Sequence, residues 1–315
     1  DVQDKLTAIF NEQFNRFVKL NADGHTISLP HSNQSIKLRK HQVNAVYRAV
    51  TEGRLLLAHE VGAGKTYTLS GIMNTLIRLG LKKRILCVVP NHLTTQFAAG
   101  YLELFPQDQI TVLNPDDLSP ASRQATLLRL KTGSSIVICP ESSFVAISPD
   151  EDIEQSVIEN ELAKLDFALC TMDKNNGARF SVKNIENKKA KLKNQLQELA
   201  QDDRKKGFTI TQLGIDCLVL DEAHFIKNLS YESTRLNNVR GCGNPIGSKR
   251  AFDWFLKIQC LKRNNLEQGN GLGVYFSTGT PISNTLLEAY TFLRYLDEDM
   301  LMAQGIGSID DFVSS

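Results

Sequence analysis

The chain has 315 residues, 42% of them hydrophobic and 23% charged, the balance of a globular protein with enough apolar mass for a large core. Its 36 basic and 35 acidic residues leave a formal net charge of +1, which excludes a global field for nucleic acid or membrane but leaves a local basic face open. No run is apolar and long enough to span a bilayer, no secretory pattern opens the chain, and Cys87, Cys139, Cys170, Cys217, Cys242 and Cys260 include no C-x-x-C pair, so we expect a soluble, cytoplasmic protein with free thiols.

Residues 2 to 20 place Ile9, Phe10, Phe14, Phe17 and Val18 at helical spacing, an amphipathic helix that with its lead-in occupies 1–35. After turn signals at Asp23-Gly24 and Pro30, "KLRKHQVNAVYRAV" predicts a second helix. From there strand and helix patterns alternate. "RLLLAH" is a strand followed by a helix, "RILCVVP" precedes "NHLTTQFAAGYLELF", "QITVLN" precedes "SPASRQATLLRLK", and "SIVICP" is a further strand. Short buried strands alternating with helices predict an α/β fold, a doubly wound, mostly parallel sheet whose ligands lie at the carboxyl ends of the strands.

The first strand end carries "HEVGAGKT", residues 59 to 66. A strand, the small-residue loop containing Gly62, Ala63 and Gly64, and a helix opening at Lys65 turn loop N–H groups and a helix N-terminus towards phosphate oxygens. In that setting Lys65 neutralises β/γ phosphates and the Thr66 hydroxyl ligates magnesium. His59 stands where G-x-x-x-x-G-K-[ST] has its first glycine, a position that need only permit the turn.

Between 145 and 213 the alternation stops. An acidic helical pattern, "SPDEDIEQSVIENELAKLDFAL", and a long polar one, "VKNIENKKAKLKNQLQELAQDDRKK", predict a helical hairpin inserted into the α/β domain, which itself occupies 36–144 and 214–300. The basic runs 187 to 193 and 204 to 206 could bind phosphates, form a solvated face, or pair with the acidic helix before them.

The sheet resumes at "IDCLVLDEAH". Four apolar residues ending in two carboxylates suit a buried strand that delivers Asp221 to hold magnesium and Glu222 to take a proton from an attacking water. His224 either links the site to the neighbouring strand end or satisfies a core hydrogen bond. A glycine-rich loop follows, then "AFDWFLKIQCLKR", a helix with Phe252, Phe255, Leu256 and Ile258 turned inward. "LGVYFSTGTP" and a helix through "SNTLLEAYTFLRYL" close the domain, leaving 301–315 as a tail.

The series "LRKHQ" (38 to 42), "HEVGAGKT", "VVPNHLTTQF" (88 to 97), "LVLDEAHFIKN" (218 to 228) and "STGTPISN" (277 to 284) resembles motifs Q, I, Ia, II and III of superfamily 2 helicases, in the right order. Within these it is similar to the Swi/Snf-type ATPases, and in flavour to phage- and plasmid-borne proteins that fuse a DNA methyltransferase-like region to a helicase region, including antirestriction proteins of the DarB kind. The resemblance implies a RecA-like P-loop NTPase lobe, ATP and magnesium as cofactors, and DNA, duplex rather than single-stranded, as partner. It assigns Gln42 to the adenine edge with Arg39 nearby; Gly62, Ala63, Gly64, Lys65 and Thr66 to the triphosphate; and His224, Thr278, Gly279 and Thr280 to coupling. Pro90, Asn91, His92, Gln96, Ser142 and Ser143 become candidates for phosphate-backbone contacts, which position without reading sequence, although a capped helix start or a turn explains each of them singly.

Such enzymes close two RecA-like lobes on ATP, and little chain follows Thr280, so the chain is expected to be a first lobe, an excised piece of something larger. Three other readings stay open. One is the motor of a restriction or antirestriction system, another a nucleotide-regulated interaction module, and the third a P-loop NTPase without nucleic acid, which "STGTP" after "DEAH" argues against.

Overall fold

A computed structural model of the chain describes residues 23–119, 121–171, 179–201, 208–231, 247–283, 285 and 287–314. The predicted helix over 2 to 20, the basic run 204 to 206 and most of the glycine-rich loop lie outside them. In chain order the elements are α1 (Lys40–Glu52), β1 (Arg54–Leu57), α2 (Lys65–Arg78), β2 (Ile85–Val89), α3 (Thr94–Leu104), β3 (Ile110–Val112), α4 (Arg123–Thr132), β4 (Ile136–Pro140), α5 (Glu141–Val145) and β5 (Ile147–Ser148). There follow α6 (Glu151–Thr171), α7 (Arg179–Gln201), β6 (Phe208–Thr209), α8 (Ile210–Leu213), β7 (Cys217–Leu220), α9 (Lys249–Glu267), β8 (Val274–Ser277), α10 (Leu287–Ala303) and α11 (Ile309–Ser314).

Six strands form one sheet in the order β1-β8-β7-β2-β4-β3, with every neighbouring pair parallel. Period-two alternation within the apolar runs decides what each face buries. Ile85, Cys87 and Val89 of β2, Cys217 and Val219 of β7, and Tyr275 of β8 pack against α1, α2 and α3 through Val46, Ile72, Met73, Phe97 and Tyr101. Their alternates, Leu86, Val88, Leu218, Leu220, Val274 and Phe276, pack against α9 and α10 through Trp254, Phe255, Ile258, Phe292 and Tyr295. Each such side chain, fully removed from water, contributes about 1.5–3 kcal/mol, so the central strands are held from both sides. Phe252, predicted to face inward, is only partly buried and lies at the rim of this core.

At the amino ends of the strands a polar lattice fixes the register. The Asp216 carboxylate accepts from the Lys83 and Arg84 amides at 2.7 and 2.8 Å, and Arg84 donates to the Leu213 and Leu130 carbonyls. The site is thereby left at the opposite, carboxyl end.

The span 145–213 holds more than two long helices, since β5 and β6 pair with each other in parallel and α8 follows them. Helices α6 and α7 pack around Ile158, Leu165, Ile185 and Leu192, with Leu256 of α9 closing that cluster. Glu161 of α6 is buried and pairs with Arg294 of α10 at 2.9 Å and Lys164 at 2.8 Å, and Arg294 also reaches Glu298. These charges tie the helix pair to the last helix of the sheet domain. Residues 301–314 are largely helical, comprising the end of α10 and α11, which pack together through Leu287, Tyr290, Leu301 and Ile309.

Candidate functional site

The loop after β1 turns into α2 through two glycines in the left-handed region, Gly62 at φ 82° and Gly64 at φ 81°, a backbone that side chains with a Cβ resist. Gly64 is also the N-cap of α2, so Lys65 and Thr66 sit at the positive end of a helix of 14 residues. Lys65 Nζ donates long hydrogen bonds to the His59 and Glu60 carbonyls, at 3.3 and 3.4 Å. Both are weak enough to give way to charged acceptors such as phosphate oxygens.

Two neighbouring strands bring their ends to this loop. Leu57 accepts from Thr278 N at 3.1 Å, carrying the β1–β8 ladder one residue beyond the strands. A Cβ placed on Gly279 would lie 3.4 Å from Lys65 Nζ and 3.2 Å from Val61, so the Thr278–Thr280 turn rests directly on the phosphate loop. Thr280 N donates to Thr278 Oγ1 at 3.1 Å, which fixes the turn. On the other side of β8, β7 delivers Asp221, buried, and Glu222, half-buried.

Burial pushes the Asp221 carboxyl up, and the neighbouring Glu222 adds to that; the Ser277 side chain and Lys65 act in the opposite direction, although the Ser277 hydroxyl makes no well-formed hydrogen bond. A buried carboxylate facing a lysine across a phosphate loop fits a divalent cation with triphosphate, and the Thr66 hydroxyl is the second group suited to hold it. Glu222 adopts φ 54°, ψ 45°, a left-handed conformation uncommon for a residue with a side chain. Its carboxylate lies 3.1 Å from His224 Nδ1, a close approach without good alignment. The structure places His224 beside the acid of its own turn, without the core hydrogen bond that was one of its two sequence readings.

Gln42 is buried and both ends of its amide are engaged. Its Oε1 accepts from Arg39 N at 2.7 Å and its Nε2 donates to Gly64 O at 2.9 Å, so it braces the glycine loop that leads into α2. Arg39 caps α1, with its side chain exposed. His41, which sequence reasoning passed over, stands beside this brace: Nε2 is 3.2 Å from Ala63 O and its ring meets that of His59 edge-on at 5.0 Å. Its only sequence signal was adjacency to Gln42. Burial, His41 and Lys65 together push the His59 imidazole below its ordinary pKa.

The remaining candidates form a second group at the ends of β2 and β4. Asn91 Oδ1 accepts from Ser142 N at 3.1 Å, joining the two loops, and Asn91, His92, Gln96 and Ser142 are exposed, with Pro90 half-buried. Ser143 departs from its expected role. Its side chain is fully buried and its hydroxyl faces the Leu113 carbonyl at 3.5 Å, because the turn into α5 directs it under the sheet edge. The basic run 187 to 193 has Lys189 paired to Asp166 of α6, and Lys188 drawn inward towards Glu161, its pKa pushed down to about 8 by burial. That run is partly spent within the helix pair.

A family model described as a probable helicase domain matches residues 49–314. Among solved structures, the Sulfolobus solfataricus SWI2/SNF2 ATPase core in complex with dsDNA is similar, at 15% identity and a TM-score of 0.45, over 91% of this chain and 40% of that one. The chain thus spans well under half the length of that protein. No curated protein matches it.

Proposed function

The chain belongs to the probable helicase domain family, and on that premise we propose that it is the ATP-binding first lobe of a DNA-dependent ATPase that moves on or remodels duplex DNA. The observation that carries this reading is the meeting of three adjacent strand ends: the phosphate loop after β1, the Thr278–Thr280 turn after β8, and Asp221 with Glu222 after β7. Lys65, the loop amides and the α2 N-terminus bind the triphosphate, while Gln42 holds the loop in shape. Thr66 and Asp221 are the residues that would hold magnesium, which when bound supplies charge neutralisation across the phosphates. Glu222 accepts the proton of the attacking water, with His224 orienting its carboxylate. Thr278, Gly279 and Thr280 touch the phosphate loop and transmit its state to the rest of the lobe.

In this reading Pro90, Asn91, His92, Gln96 and Ser142, with the Ser143 backbone, meet the sugar-phosphate backbone. A second RecA-like lobe completes the active site. On the sequence likeness alone, the setting is a longer phage, plasmid or bacterial protein of the methyltransferase–helicase fusion kind. Calorimetric titration with ATP and magnesium tests the lobe itself: binding is expected in the native chain and not in Lys65→Ala, with hydrolysis slow in both. Rapid, duplex-stimulated turnover by this chain unaided would overturn the one-lobe reading.

A further inference from the structure

One helix grips both halves of the proposed machine. Ser248, the N-cap of α9, donates its amide to Asn228 O at 2.8 Å, which fixes the start of the helix to the segment after the acid pair. In the first turn, the Arg250 guanidinium stands 4.3 Å from the centre of the Phe225 ring, three residues beyond Glu222, and pairs with Glu141, the residue before Ser142. One turn on, the fully buried Trp254 ring lies 5.3 Å from Phe225 and 4.1 Å from Phe144. Lys257, a further turn along, donates to the Phe144 and Val145 carbonyls at 3.1 and 3.2 Å. Four residues along one rigid element thus hold the turn that carries Glu222 and the turn that carries Ser142, and two of them, Arg250 and Trp254, touch both.

A buried tryptophan alone is ordinary core. Arg250 is different, because its side chain is about half exposed and still spans the two turns, through charge on one side and an aromatic face on the other. The turn it touches begins at Glu222 in its left-handed conformation, a strained point where a small push can change the direction of the carboxylate. We propose that Arg250 and Trp254 are positioning residues through which nucleic acid bound at the Asn91–Ser142 loops sets the placement of Glu222, and so couples nucleotide and nucleic-acid binding. This rests on the reading of the chain as a DNA-dependent ATPase lobe.

Trp254 is the single tryptophan of the chain and reports on the bridge directly. The test titrates the chain with magnesium and a non-hydrolysable ATP analogue, with and without a short DNA duplex, and records both analogue affinity and Trp254 emission. In the native chain duplex should change analogue affinity, within the ~5–150-fold range usual for coupled sites, and shift the emission. In Arg250→Ala and Glu141→Gln the ratio of affinities should fall to within about twofold of one, each ligand alone binding as before, and Arg250→Lys should restore part of it. An unchanged ratio in Arg250→Ala and Glu141→Gln overturns the bridge. Absence of any duplex effect in the native chain overturns it too, and is distinguishable because the failure then lies in the functional reading itself.

Discussion

Replacing Gly64 by alanine tests the brace between Gln42 and the phosphate loop. At φ 81° an alanine costs ~1–2 kcal/mol for its left-handed backbone. Its Cβ would stand 2.5 Å from Gln42 Nε2, so the amide must swing away. The Gln42 side chain is buried, and its hydrogen bonds to Gly64 O at 2.9 Å and from Arg39 N at 2.7 Å are both at risk, at ~1 kcal/mol each. Gly64→Ala should therefore lower stability by about 3 kcal/mol, measured by urea denaturation. In a Gln42→Ala background the amide is gone, and the same substitution should cost only its backbone share, about 1–2 kcal/mol. The four proteins form a double-mutant cycle with a coupling of about 1–2 kcal/mol; additivity within about 0.5 kcal/mol would refute the brace.

Glu222→Gln should retain ATP binding by calorimetry while lowering hydrolysis by the holoprotein by at least ~10²-fold, the usual weight of a general base; equal hydrolysis would remove Glu222 from that role. Glu161→Gln should destabilise the chain by ~3 kcal/mol in urea, because it strips a charge from a buried network that includes Arg294. Arg294 and Lys164 hold the Glu161 carboxyl down at about 2 against burial, so the folded state binds fewer protons than the unfolded chain. That stabilisation is complete above 4.5 and is lost as pH falls towards 2, and the variant should show a shallower acid limb in a pH series of unfolding midpoints. His59, with its pKa below 6.5, likewise binds fewer protons when folded, so unfolding should become easier as pH drops below 6.5; His59→Asn should flatten that part of the profile.

Patterns carried by neighbouring residues were the legible ones. The unbroken apolar runs "ILCVV" and "CLVL" predict strands buried on both faces, and the glycines, lysine and threonine of 62 to 66 predict the loop because its chemistry is local. What stayed hidden depends on distant partners. Nothing in "LRKHQ" says that the Gln42 amide is consumed by Gly64 and Arg39, or that His41 leans on His59 from 18 positions away. The lysines of 187 to 193 read as a phosphate-binding surface, a solvated face or partners of the acidic helix before them, and only Asp166 and Glu161 opposite Lys189 and Lys188 favour the last for part of the run. The two-residue strands β5 and β6 are too short to show a period, and their pairing joins residues about 60 apart. Ser143 looks like its exposed neighbour Ser142 in sequence and is turned under the sheet by one step of α5.

The most direct test of the central claim is ATP turnover by the longest natural form containing this chain, with and without duplex DNA, beside Lys65→Ala and Glu222→Gln. Strong stimulation by duplex, lost in both variants, is the predicted result. ATP binding with no stimulation by any nucleic acid would contradict a DNA-dependent motor.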